Sequence, residues 1–195
     1  MWAWLTGPDP AVKRSLYLES HWHAGADDAS NCCRVRRFGN AGDGGKQVCV
    51  SDLDAAPPDV LVSIGSNGDF SFETAMLAAY PTLDVHVYDG TYSPKLVPNG
   101  VTYHESNAAE GMRLPHFQRK ARAILKMDCE GCEFAVLPWL MAHHAFQQIL
   151  VEVHYRENQE DVHKLMTRLN ATHAVFSNEP NLEAPGYTEY GLRQR

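Results

Sequence analysis

Positive charge is scarce in this sequence. Its 195 residues contain 17 lysines and arginines against 24 aspartates and glutamates, which gives a net charge of -7 at pH 7. Nucleic-acid binding depends on clustered Lys and Arg side chains that neutralise phosphates, and the clearest cluster here is the short set Arg34, Arg36 and Arg37. We therefore expect no nucleic-acid partner and a small-molecule substrate instead.

Long apolar runs are also absent. No run reaches the ~18 residues that a membrane-spanning helix needs, so no membrane span is expected. The apolar start Met1–Leu5 is too short for a signal peptide and has no basic residues before it.

Metal-binding motifs are missing as well. H-E-x-x-H is absent, and the cysteines do not form the two C-x-x-C pairs of a zinc site, so no metal is expected. The odd number of cysteines favours reduced thiols and hence the cytoplasm, with the secretory pathway as the alternative if a leader precedes this chain. Pairing of Cys32 or Cys33 with Cys49 stays open. The five cysteines are Cys32, Cys33, Cys49, Cys129 and Cys132.

The chain divides at the Pro-Pro pair Pro57–Pro58. Residues 1–57 have no sustained period, and the stretch "FGNAGDGGKQVCVSDLDAAPPD" is typical of loops. We assign 1–57 as an N-terminal extension that serves as a lid or substrate segment, and 58–195 as the catalytic domain.

After residue 58, short β-like runs alternate with helical patterns. Phe72, Ala75, Met76 and Ala79 share one helical face, and Asp69 or Ser71 can cap that helix. A later helix carries Pro138, so it either kinks or begins after that residue. The pattern predicts an α/β fold, a doubly wound Rossmann-like sheet with helices on both faces and a terminal antiparallel hairpin. The predicted strands are Val60–Ile64, Val85–Tyr88, Val101–His104, Ala123–Met127, Ile149–Val153, His173–Ser177 and Tyr187–Leu192.

The first predicted strand ends in a glycine corner within "LVSIGSNGDFSFE". Its spacing is not G-x-G-x-x-G, because Asn67 and Phe70 stand at the later glycine positions, and no P-loop is present. Asp89 follows the second strand, where a carboxylate can bind ribose hydroxyls. A glycine corner with a ribose acid and no phosphate motif indicates S-adenosylmethionine. A plain turn beside an exposed acid is the alternative.

Further polar residues follow the fourth and fifth strands. Asp128 ends the fourth, where it can bind the donor's amino group or a substrate hydroxyl, or can cap the next helix. Glu133 is interpreted as a helix-start acid. His154 ends the fifth strand and is the candidate general base. Cys129 and Cys132 form C-x-x-C between acids, which favours partly buried thiols over a redox pair.

Several segments together resemble the methyltransferase-like proteins related to the FkbM group. They are "CRVRRFGNAGDGGKQVCV", "VSIGSNGDFSFE", "VHVYDGT", "ILKMDCEGCEF", "QILVEVHY" and "FSNEPN", in that order, over roughly residues 32 to 195. These proteins are class I S-adenosylmethionine-dependent methyltransferases. The resemblance implies a sheet of about seven strands whose last strand is antiparallel.

The resemblance also implies roles for particular residues. It puts the glycine corner at the methionine end of the cofactor, Asp89 at the ribose, Asp128 beside the methyl donor, and Lys46 near the methionine carboxylate. The full set expected to bind cofactor is Gly65, Ser66, Asn67, Gly68, Phe70, Asp89, Gly90, Asn107, Ala108, Asp128 and Lys46, with Asn107 and Ala108 at the adenine.

The function expected from sequence is methyl transfer to a hydroxyl, or less favourably an amine, of a small-molecule or glycan-like substrate. His154 would act as the base, and Asp128 would assist or orient. The alternative is a module of the same fold that binds S-adenosylmethionine or S-adenosylhomocysteine without transferring the methyl group.

Overall fold

The computed structural model describes residues 32, 34–112, 114, 122–154, 159–181 and 187–195. Within these ranges the chain forms nine strands and four helices. In chain order they are β1 (Val35–Phe38), β2 (Lys46–Cys49), α1 (Val50–Ala55), β3 (Val60–Ile64), α2 (Ser71–Ala79), β4 (Asp84–Tyr88), β5 (Val101–His104), β6 (Ala123–Met127), α3 (Glu133–His143), β7 (Gln148–His154), α4 (Gln159–Asn170), β8 (His173–Pro180) and β9 (Tyr187–Gln194).

Seven of the strands form one mixed sheet in the order β5-β4-β3-β6-β7-β9-β8. The strands from β5 to β7 are mutually parallel, whereas β9 is antiparallel to both of its neighbours. The predicted doubly wound sheet with an antiparallel last strand is therefore confirmed. The sequence order reverses at β3, and such a switch point leaves a crevice at the carboxyl ends of the strands.

Side chains alternate between the two faces of this sheet, and each face has its own apolar core. On β3, Val60, Val62 and Ile64 pack with residues of α3 and α4. Leu61 points to the other face and packs with α1, α2 and the β1–β2 hairpin. Helices thus cover both faces, which explains why the strands are nearly continuous apolar runs.

The segment expected to consist of loops before residue 58 contains regular structure. β1 and β2 form an antiparallel hairpin in which Val35 is paired with Cys49, and α1 follows directly. The prediction was wrong here because each strand has only four residues, "VRRF" and "KQVC", too few to show an alternating pattern. Cys32 and Cys49 form a disulfide, which is one of the pairings left open by the sequence and differs from the reduced thiols that the odd cysteine count favoured.

The helices differ from expectation at their starts. α3 begins at Glu133 and runs through Pro138, so it does not begin after the proline. Phe70 holds the cap position of α2, while the Asp69 carboxylate accepts a hydrogen bond from the Ser71 amide at 2.8 Å. The longest helix in the part of the chain that the structure describes, α4, has twelve residues. None of the helices in the described ranges has the length and apolarity required to cross a membrane.

Replacing Leu137, which is fully buried in the core under α3, tests this packing. We expect Leu137→Ala to lower the free energy of unfolding by about 2–5 kcal/mol, because the substitution leaves a cavity. Leu96→Ala is the matched control, since Leu96 is 83% exposed, and it should change stability by less than about 0.5 kcal/mol. Urea denaturation measures both. Equal effects would contradict the assignment of this core.

Candidate active site

The strand register brings the predicted polar residues together. Ile64 is level with Tyr88 on β4 and with Met127 on β6. The residues that directly follow these three strand ends, Gly65, Asp89 and Asp128, therefore meet at one edge of the sheet. β7 extends beyond this level, because Met127 is paired with Val151, and it carries Glu152 and His154 to the same edge.

Gly65 fits tightly between its neighbours. Its amide donates to the Tyr88 carbonyl at 2.9 Å, and its φ of +79° is one that residues with a Cβ rarely adopt. A Cβ at this position would lie 1.6 Å from the carbonyl oxygen of Asp128. Glycine is therefore required at residue 65 for the corner and the end of β6 to approach each other.

The carboxylate of Asp89 holds the glycine corner in place. Its Oδ2 accepts from the amides of Ser66 at 2.9 Å and Asn67 at 2.8 Å, and its Oδ1 accepts from the amide and hydroxyl of Thr91 at 2.8 and 2.6 Å. Burial alone would raise the pKa of Asp89, but these hydrogen bonds outweigh it and lower the pKa to about 2. Asp89 is thus ionised at neutral pH and fixes the conformation of the corner.

Three buried polar side chains, those of Lys126, Glu73 and Ser63, hold the glycine corner through the Gly65 carbonyl. The Lys126 ammonium donates to the Gly65 carbonyl at 3.0 Å and lies 3.7 Å from a Glu73 carboxylate oxygen. Ser63 donates to the same carboxylate at 2.5 Å. Lys126 is 2% exposed, and Glu73 and Ser63 are fully buried. Glu73, in the first turn of α2, therefore positions the cation that holds the Gly65 carbonyl.

Lys46 of β2 reaches across the strand ends and contacts three carboxylates. Its Nζ lies 2.8 Å from Glu189, 3.2 Å from Glu152 and 3.3 Å from Asp128. Burial alone would lower the pKa of Lys46, but Asp128, Glu189 and Glu152 together raise it well above its ordinary value. The ammonium has three N–H donors, and each has a carboxylate partner. Lys46 acts on the site through these acids.

The hairpin that carries Lys46 is itself anchored. Arg37 of β1 forms an ion pair with Glu179 of β8 at 2.9 Å. In the hairpin turn, Asn40 donates its side-chain amide to Asp69 at 2.8 Å, and its backbone amide donates to the Ser71 hydroxyl at 3.0 Å. The turn is therefore attached to the start of α2.

His154 is held by Glu133. One carboxylate oxygen, Oε1, accepts from the His154 backbone amide at 2.8 Å and lies 3.1 Å from Nδ1, while Oε2 accepts from the Gly131 amide at 2.9 Å. Burial alone would lower the pKa of His154, but the hydrogen bond and charge of Glu133, with Asp128 and Glu130, raise it above its ordinary value.

The other imidazole nitrogen, Nε2, faces two further carboxylates. It lies 3.8 Å from Asp128 Oδ1 and 3.7 Å from Glu130 Oε1, and the ring of Tyr187 packs 4.4 Å away, centroid to centroid. Asp128 is not the cap of α3, since Cys132 occupies that position. Burial alone would raise the pKa of Asp128. The positive charges nearby, of which Lys46 has the largest effect, lower the pKa below its ordinary value.

Gly90, Asn107 and Ala108 lie on the opposite side of the glycine corner from His154. The Gly90 amide donates to the Asn107 side-chain oxygen at 3.1 Å, so the loops after β4 and β5 are joined. Ala108 is half-buried against the apolar core. The ring of Tyr92 lies over Gly68, where a Cβ would approach it to 2.5 Å. Phe70 packs edge-on against Tyr103, 5.9 Å between ring centroids, inside the core.

Most residues expected from sequence thus converge on one edge of the sheet, and their roles toward a ligand stay predictions. Phe70 differs from the others because its ring is buried in the core. Sequence reasoning missed the contacts made by Glu133, Glu189 and Thr91. Alternation in "YTEYGL" could have indicated Glu189, since an acid there shares a face with Tyr187 and Gly191.

Cys129 and Cys132 form a disulfide between Asp128 and the start of α3. The expectation that they are thiols is therefore wrong. The expectation of partial burial holds, since both residues are half-buried against the apolar core. The pair closes the short loop that carries Glu130, whose φ is +56°.

Comparison with protein families decides the identity of this arrangement. A model of a methyltransferase domain matches residues 15–113, and a model of the methyltransferase FkbM domain matches residues 66–179. Each match spans more than half of the chain. This chain belongs to the FkbM methyltransferase domain family.

Two solved structures are similar to this chain, and the first of them shows the same fold. A chain of the fibrillarin/Nop5p complex superposes on 71% of the methyltransferase with a TM-score of 0.54 and 7% identity, over 73% of its own length. A precorrin-6y C5,15-methyltransferase from Geobacter metallireducens GS-15 matches 75% of this chain and 86% of its own, with 15% identity and a TM-score of 0.47. No curated protein matches the chain.

The methyltransferase uses S-adenosylmethionine as its methyl donor. The charge at the strand ends fits this cofactor, which carries an ammonium and a sulfonium. Asp128, Glu152 and Glu189 contact the buried Lys46 ammonium, and Asp128, Glu130 and Glu133 lie around the His154 imidazole. Such an excess of negative charge favours a cationic ligand.

Gly65→Ala and Gly111→Ala form a matched pair that tests the close approach at the corner. Both glycines have positive φ, +79° and +83°, but a Cβ on Gly111 would meet nothing within 4 Å. We expect each substitution to cost about 1–2 kcal/mol in backbone strain, and Gly65→Ala to cost more and to abolish S-adenosylhomocysteine binding. Urea denaturation and calorimetry provide the readouts. Normal binding by Gly65→Ala would refute the close packing of this corner.

Asp89→Asn tests the carboxylate that fixes the corner. The variant should lose about 1–3 kcal/mol of stability at pH 7, because an amide cannot accept from the same N–H groups on both sides. Because the pKa of Asp89 is lowered from 3.8 to about 2, the ionised carboxylate stabilises the folded state fully above about pH 4. This stabilisation is lost as the pH falls through about 2. The difference between wild type and variant should therefore shrink over that interval. Asp161→Asn, on the surface of α4, is the control. If it lost as much stability as Asp89→Asn, the loss would not come from the hydrogen bonds of Asp89 to the glycine corner.

Proposed function

We propose that the methyltransferase transfers the methyl group to a hydroxyl oxygen of a small-molecule or glycan-like acceptor, with His154 as general base. The observation that carries this proposal is the position of the His154 ring, which is held by Glu133 on one nitrogen and directs the other toward Asp128 at the strand ends.

The hydrogen bond to Glu133 sets the tautomer of His154. A carboxylate only accepts hydrogen bonds, so Nδ1 carries the proton in the bond to Glu133 Oε1. In the neutral ring, Nε2 then holds the lone pair. A hydroxyl placed beside Nε2 can give up its proton to that lone pair as its oxygen attacks the methyl carbon.

The donor binds, in this proposal, along the edge formed by the glycine corner. When bound, S-adenosylmethionine supplies a methyl carbon attached to a positively charged sulfur. Gly65, Ser66, Asn67 and Gly68 would contact its methionine part through backbone groups, and Asp128 would attract its positive charge. Asn107 and Ala108, with Gly90, would contact the adenine.

Asp89 is proposed as the ribose ligand. Its existing hydrogen bonds decide which of its oxygens a ribose hydroxyl could reach. Both of its oxygens already accept hydrogen bonds, Oδ2 from the corner and Oδ1 from Thr91. A ribose hydroxyl would therefore compete with Thr91 for Oδ1 while Oδ2 continues to hold the corner. Thr91, rather than Ser66, is the contact that donor binding would change.

The β1–β2 hairpin acts as the lid in this proposal. It supplies Lys46, which binds Asp128 at the edge of the site, and its turn is attached to α2 through Asn40. Lys46 would thereby orient Asp128 toward the donor instead of touching the methionine carboxylate, since its donors already have partners. Within residues 1–57, we assign this role to the β1–β2 hairpin.

An amine acceptor is the second candidate, and the excess of carboxylates around His154 favours it. A protonated amine would be attracted to Asp128 and Glu130, but it must lose a proton before its nitrogen can attack. His154 would serve as the base in either case. The two acceptors give different products, an O-methyl or an N-methyl compound. Carbon NMR distinguishes them, because the two kinds of methyl group have different chemical shifts.

The compartment is inferred from the disulfides Cys32–Cys49 and Cys129–Cys132. Disulfides persist in oxidising compartments and are rare in the cytosol. They favour the secretory pathway over the cytoplasm that the cysteine count suggested.

His154→Gln tests the proposed base. We expect the variant to bind S-adenosylhomocysteine within about threefold of wild type and to lose methyl transfer by about 10²–10⁴-fold, the usual contribution of general base catalysis. Calorimetry measures binding, and transfer of a labelled methyl group to a cell extract measures activity. His163→Gln, an exposed histidine of α4, is the control and should behave like wild type.

The same assay separates the enzyme from a binding module. A wild-type chain that binds the cofactor but labels nothing would support the silent module, and a folded chain that gives no heat with either form of the cofactor would contradict both. Full activity of His154→Gln would remove His154 from the mechanism and leave the donor site untouched.

A further inference from the structure

Three side chains at the strand ends have the separation of ligands around one metal ion. One ligand atom each from Asp128, Glu130 and His154 lies within 4.8 Å of the other two. His154 Nε2 is 3.8 Å from Asp128 Oδ1 and 3.7 Å from Glu130 Oε1. Both distances exceed that of a hydrogen bond, so the imidazole and carboxylates face one another without bonding directly.

His154 is buried and points its Nε2 into this group. The residue is 1% exposed. Within the described ranges, Nε2 has no hydrogen-bond partner, whereas Nδ1 is bound to Glu133. Metal-binding histidines commonly donate their second ring nitrogen to a carboxylate in this way, which fixes the tautomer and leaves a lone pair for the ion.

Asp128 is oriented in a comparable way. Lys46 Nζ lies 3.3 Å from its Oδ2, which leaves Oδ1 directed toward His154. Glu130 is exposed, with a side chain 69% accessible, so its carboxylate can move without disturbing the core. The group therefore has two positioned ligands and one adjustable ligand.

The surrounding charges favour a cation. Asp128 and Glu130 face His154 directly, and Glu133 lies behind it. Glu152 and Glu189 surround Lys46, the nearest ammonium, and Lys126 is the other lysine that acts on Asp128. Carboxylates outnumber ammonium groups here, and a divalent cation would offset that excess.

We propose that Asp128, Glu130 and His154 form a binding site for one divalent transition-metal cation, with Zn²⁺ as the best match. One imidazole and two carboxylates with an open fourth position are typical of zinc. Ligands about 2.0–2.1 Å from a tetrahedral ion are about 3.3–3.5 Å apart, so the two distances from His154 Nε2, 3.8 Å to Asp128 and 3.7 Å to Glu130, are slightly longer than a bound ion would need.

The cation and the proton compete for the same lone pair. An ion on Nε2 would occupy the atom that the proposed reaction uses as a base, so the site couples cation binding to loss of that base. The cation site shares Asp128 and His154 with the proposed active site, but cation binding is measured without methyl donor or acceptor. The two proposals can therefore fail separately.

Titration of the full, disulfide-intact chain with Co²⁺ and then Zn²⁺ tests the site. After dialysis against a chelator, we expect one Co²⁺ per chain at this position, seen by its visible absorption and displaced by one equivalent of Zn²⁺. His154→Gln and Glu130→Gln should each weaken binding by about tenfold or more, and Glu133→Gln should weaken it by about 10–100-fold.

Glu160→Gln is the matched control, because the Glu160 side chain is 71% exposed, close to the 69% of Glu130, and lies on α4. It should bind like wild type. Equal affinity in wild type, His154→Gln and Glu130→Gln would place the ion elsewhere and overturn the proposal, as would a folded wild-type chain that binds no Co²⁺. If His154→Gln does not fold, the affinity of Glu130→Gln for Co²⁺ tests the proposal, because the Glu130 side chain is exposed and its replacement should not prevent folding.

Discussion

The contact between Lys46 and three carboxylates is the interaction on which the rest of the structure depends. Glu152 and Glu189 are directly paired across β7 and β9, and like charges opposite each other destabilise a sheet. Asp128 adds a third negative charge at the end of β6. Removing Lys46 would take away the cation that these three buried carboxylates share, which costs more than losing a surface ion pair. The hairpin that supplies Lys46 is thus part of the sheet's stability.

The register of the strands turns this stable edge into a candidate site. Because β3, β4 and β6 end at the same level, the residues that follow them meet, and Gly65 lets the main chains approach closely. Asp89 and Lys126 then hold the corner from two sides, one through amides and one through the Gly65 carbonyl. Gly65 and Asn67 are residue types that adopt positive φ readily, and these contacts hold them in that conformation.

The sequence predicts the fold well where burial is continuous. Val60–Ile64 and Ala123–Met127 have the predicted bounds because strands covered on both faces are unbroken apolar runs. The hairpin escaped prediction because half of its strand residues are polar. The meeting of Gly65, Asp89 and Asp128 follows from topology alone. The partners of Lys46 do not, since it is separated by 82 residues from Asp128 and by 143 from Glu189, and no local pattern encodes such contacts.

The distribution of acids also explains how the proposed reaction can proceed without creating a new unpaired charge. In the proposed reaction, these carboxylates would attract the positively charged sulfur of the bound donor before transfer. When His154 accepts the acceptor's proton, a positive charge forms on the imidazole, between Glu133 on one side and Asp128 and Glu130 on the other. The charge would thus stay within one acidic cluster, and the same carboxylates would stabilise it before and after the transfer. A neutral residue at Glu133 would remove the acid in direct contact with that imidazolium, which is why the pair formed by Glu133 and His154 is central to the proposed chemistry.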